Sequence, residues 1–261
     1  MKSPQTKPAV VVVVVGGIDP SGGAGLLRDV ATAVSCGARA HAIGTAWTEQ
    51  GDTIHRVEPR PPAAVRDALA RALATLRPAA VKVGMAVAPA TAAALIEGLA
   101  DYAGPVVVDP VLATSRGGGL WEGEAAELVP LLRRATLVTP NAAEAGELAD
   151  APVATAGGGE AAGHFLIARH RLNAVLIKGG HIDEAEPIIT DALVTLAGVR
   201  RFSRPRVAGP TPRGTGCALA TAIAVELGRG CGLAEAVEGA TTWLGGAIAA
   251  ATAVGGERHL G

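Results

Sequence analysis

The chain has 261 residues, of which 49% are hydrophobic and 18% charged, and its formal net charge is −1. This composition describes a globular protein with enough apolar material for a large core. The near-zero charge argues against the basic surface that nucleic acids or anionic membranes require, and the 2% of aromatic residues leaves little for base stacking. We therefore expect no nucleic-acid partner and no membrane partner.

The longest apolar run covers residues 9–15 and is too short to cross a bilayer. It ends in Gly16-Gly17 rather than in a small-residue cleavage site, so we interpret it as a buried strand. The three cysteines have neither disulfide nor metal-ligand spacing. These features predict a cytoplasmic protein. Because no linker, repeat or composition break is visible, residues 1–261 are predicted to form a single domain, with residues 1–8 as a loose terminus.

Strands and helices alternate along the chain. The β-branched run at residues 10–15 is typical of a central parallel strand that is covered on both faces. Residues 188–196 and 199–207 are predicted to form a hairpin that adds an antiparallel edge. The sequence therefore predicts an α/β fold with a central, mostly parallel sheet. Further predicted strands lie at residues 40–47, 54–57, 79–85, 106–111, 136–141 and 174–178, and predicted helices cover residues 26–37, 61–76, 89–99, 124–134, 160–172, 217–227 and 233–248.

The loop at residues 210–217 reads Pro-Thr-Pro-Arg-Gly-Thr-Gly-Cys and leads into a small, apolar segment that is predicted to be helical. Unpaired N–H groups and the positive end of the helix dipole favour anions at such a helix start, and glycines let the backbone approach a phosphate closely. Cys217 falls in the first turn, where a lowered pKa would suit it to act as a base. Gly-rich turns before helices are also common in α/β proteins that bind no phosphate. The loop lacks the Lys of a Walker A sequence, so another residue has to supply positive charge.

Polar side chains follow several of the predicted strands, at the edge of the sheet where ligands bind in α/β folds. Asp19 follows the first strand and either contacts a ligand or braces the turn and caps the next helix. Gln50 can read the edge of a heterocycle, although a loop glutamine is more often only solvated. Asp109 has two possible roles: it binds or orients a metal–phosphate group, or it caps a helix. Residues 113–119, with Arg116 among glycines, either close over a phosphorylated ligand or form an ordinary mobile loop.

Two further strand ends carry candidate residues for phosphate or metal binding. Asn141 and Glu144 lie three residues apart at the start of a helix and hence on one face. Glu144 could hold a magnesium-bound water, or it could be a favourable first-turn charge. Lys178 stands at the end of a buried strand, where it could serve a nucleotide phosphate; the alternative is a surface lysine.

Seven motifs, in this order, resemble those of bacterial hydroxymethylpyrimidine and phosphomethylpyrimidine kinases of thiamine biosynthesis, which belong to the ribokinase-like superfamily. Their order and spacing cover nearly the whole chain, which makes the set far more specific than any single motif. The motifs are GIDPSGGAG at residues 17–25, TAWTEQ at 45–50, VKVGM at 81–85, VDPV at 108–111, TPNAAE at 139–144, KGGH at 178–181 and GTGC at 214–217.

The resemblance implies a three-layer α/β/α ribokinase-like fold and phosphorylation of an aminopyrimidine alcohol, then of its monophosphate, with ATP and Mg²⁺ as cofactors. It implies that Asp19, Gly17 and Gln50 bind the pyrimidine and that Met85 and Val111 line its pocket. The backbone amides of Gly214, Thr215, Gly216 and Cys217 form the anion hole, and Cys217 takes the proton of the attacking hydroxyl. The resemblance implies that Lys178, Asn141 and Glu144 serve the ATP phosphates and magnesium, with Glu144 at the metal. Asp109 and Arg213 are further candidates for the nucleotide site, Asp109 because it lies at a strand end and Arg213 because of its positive charge. Like its relatives, the chain is expected to form a homodimer.

The sequence departs from the family pattern at three positions. Arg213 replaces a usual His and could contribute a permanent positive charge near a phosphate. Gly51 replaces a usual Asn, and Trp47 replaces an aliphatic residue. Two rival functions stay open: a pyridoxal kinase, because the cysteine-containing loop is similar in both enzymes, and a regulatory protein that binds the pyrimidine phosphate without transferring a phosphoryl group.

Overall fold

A nine-stranded sheet runs through the middle of the fold. The computed structural model describes residues 10–50, 54–113, 118–182, 186–254 and 257–260. The strands lie in the order β3-β2-β1-β4-β5-β6-β7-β8-β9. They are β1 Val11–Ile18, β2 Arg39–Gln50, β3 Ile54–Pro59, β4 Ala80–Val83, β5 Val106–Val108, β6 Leu137–Val138, β7 Ala174–Ile177, β8 Ile188–Thr195 and β9 Gly198–Pro205.

The six central strands are parallel, and antiparallel strands close both edges. β1 pairs in parallel with β2 and β4, and parallel pairing continues to β7. The β8–β9 hairpin forms the antiparallel edge that the sequence predicts. At the opposite edge β3 pairs antiparallel with β2, which gives the sheet a second antiparallel edge.

Helices cover both faces of the sheet. Val13 and Val15 of β1 belong to one apolar core, whereas Val12 and Val14 belong to the other, because successive side chains of a strand point to opposite faces. Helices α2 to α6 contribute to the first core, and α1, α7 and α8 contribute to the second. This arrangement confirms the predicted three-layer α/β/α fold. The helices are α1 Gly25–Ser35, α2 Pro62–Leu76, α3 Pro89–Gly98, α4 Ala125–Leu132, α5 Ala142–Ala149, α6 Ala156–His170, α7 Thr215–Gly228 and α8 Leu233–Ala249.

A short antiparallel hairpin, β10 (Thr252–Val254) and β11 (Glu257–His259), forms a second sheet that the sequence pattern does not predict. Arg258 of this hairpin donates to the carbonyl of Ile248 at 2.9 Å and to that of Pro210 at 3.2 Å. The hairpin is therefore tied to the loop that precedes α7. Within the described ranges, no helix combines the length and the apolar character needed to span a membrane.

Helix α2 offers a test of the core. Leu69 is fully buried and faces Gly98 of α3, whereas Leu76, two turns later, is 40% exposed. We expect Leu69→Ala to lower the free energy of unfolding by about 2–5 kcal/mol, because it removes buried methyl groups and leaves a cavity. Leu76→Ala, on the same helix, should cost less than about 1 kcal/mol. Urea denaturation measures both values, and equal losses would contradict the packing described for α2.

Candidate active site

The N-terminus of α7 lies against the loop that follows β1. Gly214, the N-cap residue, has a φ of 72°, in the left-handed region that favours glycine. A Cβ atom on Gly214 would lie only 2.3 Å from the carbonyl oxygen of Gly23, so the two loops can touch only because this position is a glycine. Because Gly214 has no side chain that could cap the helix, the N–H groups of the first turn can bind an anion.

Asp19 and Arg213 join these two loops. The Arg213 guanidinium donates to the Asp19 carboxylate at 3.1 Å, and Asp19 is 1% exposed. The N–H and hydroxyl of Ser21 also donate to Asp19, at 3.0 and 2.8 Å. The turn-bracing role considered for Asp19 is thus present, together with an ion pair. Arg213, which its charge suggested for the nucleotide site, lies beside Asp19, the residue that the resemblance assigns to the substrate.

Gly17, Met85 and Val111, all predicted to contact the substrate, lie close together. A Cβ on Gly17 would lie 2.6 Å from the Met85 sulfur, so glycine makes room for this side chain. Met85 and Val111 belong to one small apolar cluster. Val87 in the same cluster has a φ of 69°, a strained value for a β-branched residue. The side chain of Gln50 and the loop around Arg116 lie outside the described residues.

Lys178 and Asp109 meet on the other side of the α7 N-terminus. The Lys178 ammonium donates to Asp109 at 2.7 Å and lies 3.8 Å from the Glu144 carboxylate. Thr139 donates to the same Asp109 oxygen at 3.0 Å. A Cβ on Gly216 would lie 3.1 Å from the Lys178 nitrogen, so this ion pair flanks the first turn of α7. The structure therefore brings three of the predicted nucleotide-site residues together.

Asn141 and Glu144 form a reciprocal cap at the start of α5. The backbone N–H of Asn141 donates to Glu144 at 2.7 Å, and that of Glu144 donates to the Asn141 side chain at 2.9 Å. This capping box is the local reason that α5 begins here. The first-turn role considered for Glu144 is therefore present, and the same carboxylate also faces Lys178.

The charged groups of this cluster shift one another's pKa values. Burial raises the pKa of Glu144 to about 7, although Lys178 acts in the opposite direction. Burial would also raise the pKa of Asp109, but the ammonium groups of Lys178 and Lys82 hold it below its ordinary value. Burial disfavours the Lys178 ammonium, yet Asp109 and Glu144 raise its pKa above the ordinary value. Lys178 is therefore a stable cation.

The prediction of a lowered pKa for Cys217 is wrong. Burial raises the pKa of this thiol to about 11, because desolvation disfavours the thiolate. The charge of Lys82 and a hydrogen bond from the Gly25 N–H act in the opposite direction and only reduce the effect. Position in a first helical turn thus fails to predict the ionisation of this thiol, which is partly buried.

Sequence reasoning missed three charged residues beneath the site. Lys82 and Asp29 form a fully buried ion pair with a shortest distance of 2.8 Å. Arg28 is 5% exposed and donates to the carbonyl groups of Leu260 at 2.9 Å and Gly22 at 3.2 Å. A detectable signal was present, because a lysine within a run of buried valines requires a partner of opposite charge.

The fold and this charged cluster around the Gly-Thr-Gly-Cys helix start define a ribokinase-like kinase, a phosphotransferase. The profile of the phosphomethylpyrimidine kinase family matches residues 19–260. The chain belongs to this family, which confirms the resemblance seen in the sequence.

Similar proteins include members of this family and a pyridoxal kinase. The hydroxymethylpyrimidine/phosphomethylpyrimidine kinase of Salmonella typhimurium strain LT2 is 36% identical over 245 residues, which cover 91% of this chain and 90% of that protein. A crystal structure of phosphomethylpyrimidine kinase from Clostridium difficile 630 has a TM-score of 0.78 at 28% identity, covering 92% of this chain and 99% of that one. Pyridoxal kinase from Staphylococcus aureus in complex with AMP-PCP has a TM-score of 0.85 at 25% identity, with 95% and 91% coverage. The same enzyme in complex with pyridoxal gives 0.86 at 25%, with 98% and 94% coverage.

Two glycines test the contact between the loops. Gly214 and Gly22 have φ values of 72° and 71°, but a Cβ on Gly22 would meet no atom within 4 Å. Both Gly→Ala variants should lose about 1–2 kcal/mol of stability from the backbone conformation. We expect Gly214→Ala to lose more, because its Cβ collides with Gly23. Thermal or urea unfolding measures the difference, and equal losses would mean that the loops do not touch.

Proposed function

We propose that this chain transfers the terminal phosphoryl group of ATP to 4-amino-5-hydroxymethyl-2-methylpyrimidine, to its monophosphate, or to both in turn. This reaction is the one for which its relative from Salmonella typhimurium is named. The observation that carries the proposal is the convergence of two groups of residues on the first turn of α7. Asp19 is linked to this turn by its ion pair with Arg213, and the Lys178 ammonium lies beside Gly216.

The residues on the Lys178 side fit a magnesium–nucleotide complex. Gly216 places no side chain between the α7 backbone and the Lys178 ammonium, whose nitrogen would lie 3.1 Å from a Cβ at this position. The first-turn N–H groups and the ammonium are therefore close enough to act on the same phosphate. Among the described residues no three His, Cys, Asp or Glu side chains cluster as a complete metal site. Mg²⁺ commonly uses one or two carboxylates together with substrate phosphates and water, and Asp109 and Glu144 match that requirement. Bound MgATP would supply the phosphoryl group and the charge that neutralises it.

The protein would act by positioning and by charge stabilisation, as phosphoryl transfer requires. In the proposal, Asp19, Gly17, Gln50, Met85 and Val111 hold the pyrimidine. The N–H groups of residues 214–217 stabilise charge that develops on the transferred group. The Cys217 thiolate accepts the proton of the attacking hydroxyl. Because burial raises the pKa of this thiol, the thiolate needs positive charge nearby.

Pyridoxal kinase activity is the second candidate. The observation in its favour is the high structural similarity to pyridoxal kinase from Staphylococcus aureus in complex with pyridoxal. ADP formation, measured in parallel with hydroxymethylpyrimidine, its phosphate and pyridoxal, tests both candidates. Higher kcat/KM for pyridoxal would favour the second. Ligand-dependent stabilisation without ADP formation from any of the three would favour a regulatory binding protein.

Replacement of Cys217 tests the proposed base. General bases contribute about 10²–10⁴-fold to rate, so Cys217→Ala should lower kcat by about that factor. The variant should still fold and bind ATP, which circular dichroism and isothermal titration calorimetry measure. Cys36→Ala serves as the control, because this partly buried cysteine lies at the far end of α1. Turnover within about twofold of the wild type would remove the thiol from the mechanism.

Glu144 gives a pH-dependent prediction for magnesium. Its pKa of about 7 means that the carboxyl is increasingly protonated as the pH falls from 8 to 6. A metal must displace that proton, so the Mg²⁺ concentration for half-maximal activity should rise over this interval. Glu144→Gln should need more Mg²⁺ at pH 8 and should lose most of the pH trend. A trend as steep in the variant as in the wild type would exclude Glu144 from the metal site.

A further inference from the structure

Three side chains from three elements form a hydrogen-bonded chain beneath the first turn of α7. Lys82 of β4 donates to both oxygens of Asp29 of α1, at 2.8 and 3.0 Å. Thr221 of α7 donates to Asp29 at 2.8 Å. All three residues are at most 1% exposed. The group is buried and hydrogen-bonded throughout, so it is a fixed part of the fold.

This chain of contacts ends one helical turn from the candidate base. Thr221 follows Cys217 by four residues on α7, and side chains with this spacing are neighbours on a helix surface. A Cβ on Gly84 would lie 2.8 Å from the Lys82 nitrogen, which places the ammonium at the carboxyl end of β4. That end of the sheet is the one that carries Asp19, Asp109 and the start of α7.

Burial of an ion pair is weak evidence that its only role is to stabilise the fold. Its desolvation penalty offsets much of the attraction, and apolar residues of the same volume often stabilise a core as well. The charges that act on Cys217 come from several elements. Lys82, Arg28 and Lys178 are the cations, whereas Asp29 and Asp109 are the carboxylates. Among them the Lys82 ammonium has the largest influence on the thiol.

We propose that Lys82 is a positioning residue that favours the thiolate of Cys217, and that Asp29 holds its ammonium against Thr221, one helical turn from Cys217 on α7. The inference rests on the proposed function, because a thiolate matters only if Cys217 accepts a proton. The carboxylate of Asp29 limits the effect of the ammonium. Removal of the Asp29 charge should therefore favour the thiolate, and removal of the Lys82 charge should disfavour it.

The test compares Asp29→Asn with the double variant Asp29→Asn/Lys82→Met. Lys82→Met alone would leave Asp29 as a buried charge without its cation and could prevent folding. In Asp29→Asn the Lys82 ammonium keeps Asp109 and Cys217 as neighbouring acidic groups. In the Asn background, the two proteins differ only at Lys82. Iodoacetamide alkylation, followed for each cysteine-containing peptide by mass spectrometry between pH 7 and pH 10, reports the thiolate fraction. Circular dichroism establishes that both variants are folded.

At Cys217 we expect Asp29→Asn to react faster than the wild type and the double variant to react slower than Asp29→Asn. A difference of about tenfold corresponds to a pKa difference of about one. Cys36 and Cys231 serve as internal controls and should react equally in all three proteins. A loosened fold would change the alkylation rate in the opposite direction, because Cys217 of the double variant would then react faster.

Equal alkylation of Cys217 in the two variants, or parallel changes at Cys36 and Cys231, would overturn the proposal. Alkylation requires no substrate, so this result is independent of the kinase assay. If Cys217 reacts more slowly in the double variant than in Asp29→Asn but no alcohol is phosphorylated, the role of Lys82 stands and the proposed function fails. If turnover is present and the alkylation contrast is absent, only the inference about Lys82 fails.

Discussion

The structure depends on how positive and negative charges are paired beneath and beside one helix N-terminus. Three cation–carboxylate pairs surround the start of α7, and each joins elements that are distant in sequence. Their carboxylates are almost completely buried, so each requires a cation of its own. The pairs are Lys82 with Asp29 at 2.8 Å, Lys178 with Asp109 at 2.7 Å and Arg213 with Asp19 at 3.1 Å. Because the pairs are held in place by the fold, the site is organised before any ligand binds.

The two pairs at the rim differ in their chemistry. Lys178 is shared between Asp109 and Glu144, and burial brings the pKa of Glu144 to about 7, so this group titrates near neutrality. Arg213 pairs with Asp19 through a planar guanidinium, whose donors match the geometry of a carboxylate or a phosphate. The link between the two loops therefore uses a residue type that also binds phosphate.

The sequence predicts the sheet and its helices well because hydrophobic period and Gly-Pro punctuation are local signals. It places Asp19, Asp109 and Lys178 at strand ends, where the structure also has them. The valines around Lys82 indicate that it needs a partner of opposite charge, but no local pattern shows which residue that is. The pairing of Lys82 with Asp29 and of Arg213 with Asp19 could therefore not be predicted. The hairpin of β10 and β11 was not predicted because its strands have three residues each, which is too few to show an alternating hydrophobic pattern.

The partial burial of Cys217 creates a conflict that the pair of Lys82 and Asp29 can resolve. A water-poor site strengthens the electrostatic interactions that phosphoryl transfer uses, yet the same burial raises the pKa of the thiol to about 11. The side chain of Lys178 is 13% exposed, so an incoming phosphate can compete with the thiolate for its charge. Lys82 is 1% exposed and held by Asp29, which keeps it out of reach of a phosphate. A cation sealed beneath the helix start can therefore act on the sulfur throughout a catalytic cycle, whichever anions occupy the rim.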